Sequence, residues 1–229
     1  MMNRKSKALG LALFAAFALS AMTASGAWAS GERFHSATEH TILDVTQDGT
    51  EGSSTGRQIL ATTLFELSCT GAEANVTLTQ KTLGEITVSP NFTKCNKLEG
   101  EDKHEGLAPH ALMKSCDYLY TSERSGTHAP VHIQCSIVGD HIHFTITFLG
   151  AELLCMTIPP QTPTGGGVSY HNVGSPPNRT VTLEETITGI EYTEKGACGS
   201  AVANDGTYTG NLLVQGTNTA NEEVDTWWE

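Results

Sequence analysis

The chain has 229 residues, 38% of them apolar and 17% charged, with a formal net charge of -12. Residues 30–229 carry all 25 acidic residues and 10 of the 13 Lys and Arg, a balance of -15 that argues against a phosphate-backbone partner. The same stretch holds 30 Thr and 21 Gly, residues of pleated surfaces and turns, which excludes a coiled coil, a collagen and a helical bundle.

The first segment reads as an export signal. Met1 to Lys7 is cationic through Arg4, Lys5 and Lys7. Ala8 to Met22 is apolar, and Ala27-Trp28-Ala29 is a small-x-small cleavage site that makes Ser30 the new terminus. The apolar run is about 15 residues, short of the roughly 20 that a membrane-spanning helix needs. A signal helix is therefore expected over 1–29, with no transmembrane segment after its removal.

Ser30 to Arg57 is polar and reads as a strand and a loop, the loop at Gly49 to Gly56. From Ile59 to Cys69 the residues Ile59, Ala61, Thr63, Phe65, Leu67 and Cys69 alternate on one side of one long strand. A hairpin is expected over Val76 to Pro90, with Val76 opposite Val88, Leu78 opposite Ile86 and a loop near Lys81 to Leu83. Extended outward, the same register sets Cys69 opposite Cys95. Leu98 to Pro109 is a charged loop holding Glu99, Glu101, Asp102 and Glu105.

Leu112 to Tyr120 places Cys116, Tyr118 and Tyr120 on one face. Antiparallel pairing with Val131 to Ile137 sets Cys116 opposite Cys135, Tyr118 opposite Ile133 and Tyr120 opposite Val131. Val131 to Phe148 itself reads as a hairpin turning at Gly139-Asp140, because Gly supplies positive φ at little cost. That register sets Ile137 opposite Ile142, Cys135 opposite Phe144, Ile133 opposite Ile146 and Val131 opposite Phe148. Its other face carries His132, Gln134, Ser136, His141, His143, Thr145 and Thr147, so a slip by one residue would mix wet and dry sides.

Residues 161–177 form a Pro/Gly-rich crossover or linker, with Val168 to Val173 one short strand inside it. Val181 to Thr193 and Thr207 to Val214 read as strands, separated by a loop with the turn Asn204-Asp205-Gly206. The expected organisation is a signal peptide (1–29), a β-rich domain with two hairpins (30–160), the crossover, and a C-terminal β-segment (178–229) packed on the first. The fold class is all-β, an antiparallel β-sandwich or two packed β-subdomains stapled by disulfides.

All six cysteines follow the signal, and an even count in an exported chain implies disulfides. Fifteen pairings are possible for six cysteines. Register favours Cys69–Cys95 and Cys116–Cys135, and elimination leaves Cys155–Cys198. Zinc needs close pairs, and the smallest gap between cysteines is 19 residues.

Candidate chemistry is sparse. His141 and His143 point the same way along a strand, roughly 7 Å apart, and with His132 they are weak metal candidates against the simpler reading of a polar strand face. His104-Glu105 with His110 lacks the spacing of a zinc-protease helix and contains Gly106 and Pro109. Asp44, Asp48 and Glu51, like the acids of 98–109, read as solvated loops and form no EF-hand pattern. No G-x-S-x-G elbow is present. Asn75, Asn91 and Asn178 match the glycosylation pattern, which a Thr-rich chain produces readily by chance. Trp227 and Trp228, the tryptophans left after cleavage, either seal a strand end or form an exposed contact pair.

The surroundings of the cysteines resemble a set of secreted six-cysteine β-rich proteins of soil actinobacteria that has no assigned activity. The resemblance lies in Phe65 to Cys69, Thr87 to Cys95, Cys116-Asp117-Tyr118, Val131 to Ser136, Cys155 to Gln161 and Gly189 to Gly210. It implies export from a bacterium and a disulfide-linked β fold, and it carries no catalytic residue or cofactor. The expectation is an acidic, secreted or cell-surface β protein with no cofactor, non-enzymatic, serving in binding or as a surface component. The alternatives are a secreted hydrolase or carbohydrate-active enzyme, and a metal-binding module on the histidine face.

Overall fold

The computed structural model describes residues 32–47, 56–63, 66–97, 107–122, 127–148, 151–194 and 202–229. The expected signal helix, Cys198 and the acids of 98–106 lie outside them. The described strands are β1 (Phe34–Ser36), β2 (Thr41–Gln47), β3 (Gln58–Ala61), β4 (Glu66–Leu78), β5 (Thr82–Leu83), β6 (Glu85–Val88), β7 (Asn91–Lys97), β8 (Leu107–Leu112) and β9 (Cys116–Thr121). They continue with β10 (Val131–Cys135), β11 (Ile142–Phe148), β12 (Ala151–Ile158), β13 (Gly165–Val173), β14 (Thr180–Glu194), β15 (Val202–Thr217), β16 (Glu223–Val224) and β17 (Thr226–Trp228).

Every pairing between these strands is antiparallel, and they form three sheets. The large sheet is centred on β14 and β15, the two longest strands. Strands β2 and β3 lie end to end between β15 and β4, and β7 runs along the far edge of β4. On the other side β13 and β12 share the free edge of β14, followed by β11 and β8. The end strands β7 and β8 come together, so the large sheet curls around its own inner face. The small sheet, β10-β9-β6, lays Tyr118, Tyr120, Val131 and Ile133 on the core. A terminal sheet, β17-β1-β5, holds the two ends of the described chain together.

Strict alternation explains which faces are dry. In β15 the inward run is Tyr208, Leu212 and Val214, and in β9 it is Cys116, Tyr118 and Tyr120, all buried. Period-two patterning sends these side chains to one face and the Thr-rich positions to the other.

The same alternation misleads about strand partners. The expected Val131–Phe148 hairpin does not form. β10 pairs with β9, whereas β11 pairs with β12 and β8 in the large sheet. Gly139, at φ 89°, turns the chain from one sheet to the other, and Ile137 is 60% exposed instead of facing Ile142. Alternation specifies a buried face and says nothing of whether the apolar partner lies beside it or across the core. Val131, Ile133 and Phe144 line one cavity between the two sheets.

The expected Val76–Pro90 hairpin is corrected for the same reason. β4 pairs with β7 at Cys69↔Cys95 and Glu73↔Asn91, the register read outward from Val76 and Val88. At Ser89-Pro90, where proline removes a ladder donor, the chain leaves that register. β6 joins β9 in the small sheet, and Thr82–Leu83 pairs with β1. The single long strand expected over Ile59 to Cys69 is instead two strands folded back, with Ile59↔Ser68 and Leu60↔Leu67. The buried side of β3 is Gln58 and Leu60.

Residues 161–177 supply strand β13, paired with β14 from Gly165↔Thr188 to Val173↔Thr180. Gly166, at φ 72°, brings its backbone so close to Thr186 that a β-carbon would collide with the Thr186 carbonyl. Asn204-Asp205-Gly206 lies inside β15, where the β14–β15 register shifts around Ile190.

Candidate functional site

The inward positions of β14 are Val181, Leu183, Glu185 and Ile187, each at most 4% exposed. A carboxyl thus occupies an apolar position in the centre of the longest strand pair. Its lateral neighbours are Val168 on β13 and Gly210 on β15. Across the core, the Tyr120 hydroxyl of the small sheet donates to Glu185 Oε1 at 2.6 Å. Oε2 is buried and has no hydrogen-bond partner.

Two further tyrosines complete the cluster. Tyr208 of β15 donates to Gln58 Oε1 at 2.5 Å, and Gln58 Nε2 donates to the Asn211 carbonyl at 2.9 Å. The Tyr118 and Tyr208 rings are stacked with centroids 6.2 Å apart. Gly210 makes the arrangement possible, because a β-carbon there would overlap the Gln58 amide.

Burial governs the electrostatics. Desolvation pushes the Glu185 carboxyl up to about 7, against the opposing pull of the Tyr120 hydrogen bond and the nearby Tyr208 hydroxyl. Burial, and then the field of Glu185, raises Tyr118, Tyr120 and Tyr208 above the usual phenol range. Burial therefore raises this core carboxyl in the direction that a general acid or a proton sensor requires. An apolar cavity of about 20 Å³, room for about one water, shares Gln58, Tyr118 and Tyr208 with this cluster and is otherwise lined by apolar side chains such as Leu60, Phe92, Phe144 and Ile187; Glu185 itself does not line it.

The structure places the sequence candidates elsewhere. Cys69–Cys95 is bonded at S–S 1.99 Å and Cys116–Cys135 at 2.04 Å, one bridge in the large sheet and one in the small. Cys155 is buried on β12, and its expected partner Cys198 is outside the described residues. The His141 and His143 rings are 5.9 Å apart, whereas His132 stands in the small sheet with Nδ1 2.7 Å from the Thr162 hydroxyl. Among the described residues, no three His, Cys, Asp or Glu side chains are grouped to hold a metal ion.

Trp227 and Trp228 seal a strand end. Trp228 is 5% exposed, stacked on Tyr170 at 3.8 Å and edge-on to Phe34 at 4.6 Å. Trp227 lies between His35, stacked at 5.2 Å, and the Arg179 guanidinium, 4.1 Å from its centroid. Arg179 is held in turn by Asp225 at 2.7 Å.

Glu185 escaped the sequence reading although the signal was there. In Val181-Thr-Leu-Glu-Glu-Thr-Ile187 the inward phase is Val, Leu, Glu, Ile, so an acid sits where an aliphatic residue belongs. No protein-family model, no curated protein and no solved structure matches the chain.

Proposed function

We propose that the chain is an exported, disulfide-stapled β protein of the cell exterior that serves in binding or as a surface component. The observation that carries this reading is the pair of formed disulfides, one in each of two packed sheets, in a chain that opens with a signal-like segment. Disulfides persist in oxidising compartments. Among the described residues no helix is long and apolar enough to cross a membrane, which is compatible with release after cleavage.

Expression of the full chain, followed by fractionation and N-terminal sequencing, tests it. The expected result is material outside the cytoplasm beginning at Ser30, with Cys69, Cys95, Cys116 and Cys135 resistant to alkylation until reduced. Cytoplasmic material with reactive thiols at those positions would overturn it.

A second reading, a secreted hydrolase or carbohydrate-active enzyme, draws on the raised carboxyl of Glu185. A two-carboxylate glycosidase needs a second acid roughly 5–10 Å away across a cleft that admits substrate. Turnover of a glycoside or ester panel, abolished in Glu185→Gln, would establish that reading in place of the first.

A further inference from the structure

Glu185 belongs to the large sheet and its hydrogen-bond donor Tyr120 to the small one, so their bond is a polar link across the joint between two sheets. The groups facing Glu185 are known on each packed element. β9 offers the phenols Tyr118 and Tyr120, and β15 offers Tyr208 with Gly210 at the lateral position. β13 offers Val168, and β3 offers the Gln58 amide through Tyr208. None of these groups is cationic. The carboxyl has one satisfied oxygen and one bare one, in a residue that is 3% exposed.

We infer that Glu185 is a proton-operated latch: with its proton it lets β9 and β14 pack dry, and on ionisation it draws water into that joint and opens the apolar cavity that shares Tyr118 and Tyr208 with the cluster. The step is the breaking of the carboxyl O–H bond with passage of the proton to solvent water. The neutral acid needs only Tyr120 at Oε1 and leaves Oε2 without a partner but also without a charge. The carboxylate instead leaves a charge on Oε2 with no donor, a costly state in an apolar core. The nearest relief is water. The cavity lined by Tyr118, Tyr208, Val131 and Phe144 is the narrow space between the sheets that water would widen.

The sign of the linkage follows. A carboxyl raised in the folded chain to about 7 from 4.5 binds more protons folded than unfolded. Its stabilisation is complete below the unfolded value and is lost as pH rises through the folded one.

The test uses the disulfide-bonded chain between pH 5 and pH 9, read by thermal melting, by fluorescence of anilinonaphthalene sulfonate, and by the infrared band of a buried protonated carboxylic acid. The wild type is expected to lose roughly 5–10 °C in Tm over this range. Its dye fluorescence should rise several-fold and its infrared acid band should vanish, both with midpoints near 7. Glu185→Gln stays neutral and keeps an acceptor for Tyr120, so both its profiles should be flat. Tyr120→Phe removes the donor that favours the carboxylate and should move the midpoint upward. An acid band absent at pH 5, a flat wild-type profile, or an unchanged profile in Glu185→Gln would each overturn the latch. The infrared measurement needs no variant to fold.

Discussion

The amide of Gln58 fills the space that a β-carbon on Gly210 would occupy. That vacancy lets Gln58 accept from Tyr208 and donate to the Asn211 carbonyl, which fixes the tyrosine beside Glu185. Gly210→Ala should displace the amide and cost about 1–3 kcal/mol, by overpacking and by leaving a buried hydroxyl short of its acceptor. In a Gln58→Ala background the same change should cost less. A double-mutant cycle by chemical denaturation reads the difference, and equal costs in the two backgrounds would disprove the shared space.

Each disulfide joins directly opposed residues, with Cα–Cα distances of 3.8 and 3.9 Å. Paired Cys→Ser replacement at 116 and 135 should lower stability by about 3 kcal/mol, and at 69 and 95 by a similar or slightly larger amount. The denaturant midpoint should fall in both. A variant as stable as the parent would show that the sheet alone sets the register there.

Two carboxyls pull the pH profile in opposite directions. Asp225, hydrogen-bonded by Arg179, is held below the usual carboxylate range, so its contribution is present above the unfolded value and lost as pH falls through the folded one. Glu185 is raised and loses its contribution as pH rises toward 7. Stability should therefore peak on the acid side of neutrality. Arg179→Ala should flatten the acid limb, because the benefit lost there has already been removed, and should leave the alkaline limb in place. Denaturant titrations at half-unit pH steps read both limbs.

The tryptophans should differ. Trp228→Ala removes a buried ring from a stack with Tyr170 and should cost roughly 3–5 kcal/mol. Trp227 is only partly covered, and its removal should cost less. Within residues 30–229 these are the tryptophans, so Trp227→Phe in that segment isolates Trp228, whose emission should be the more blue-shifted of the two single-tryptophan variants.

The legible part of the fold was the part fixed by direct cross-strand neighbours. Cys116↔Cys135, Tyr118↔Ile133 and Tyr120↔Val131 are read from spacing because one register satisfies a sulfur pair and two apolar pairs at once. The pairing of Val131–Ile133 with Ile142–Ile146 that alternation suggests does not form, and the true partners of Ile142–Ile146 were not legible. Two amphipathic strands satisfy their apolar faces equally well side by side or face to face, and only long-range contacts decide. The triple glycine of 165–167 reads as a linker by composition, yet it is a strand where backbone approaches backbone. Glu185 was hidden for a different reason. Acids in a strand are read as its wet side, and only their phase against Leu183 and Ile187 shows otherwise.

The Cys69–Cys95 bridge closes a ring whose covalent path starts in the large sheet at β4, crosses the terminal sheet at β5 and the small sheet at β6, and returns at β7. A protease cut between Leu78 and Glu85 would therefore yield two fragments that still migrate as one species without reductant and separate with it. Nicked material should keep its three layers tethered, so surface cleavage in that segment would leave the assembly intact until the sulfur link is reduced.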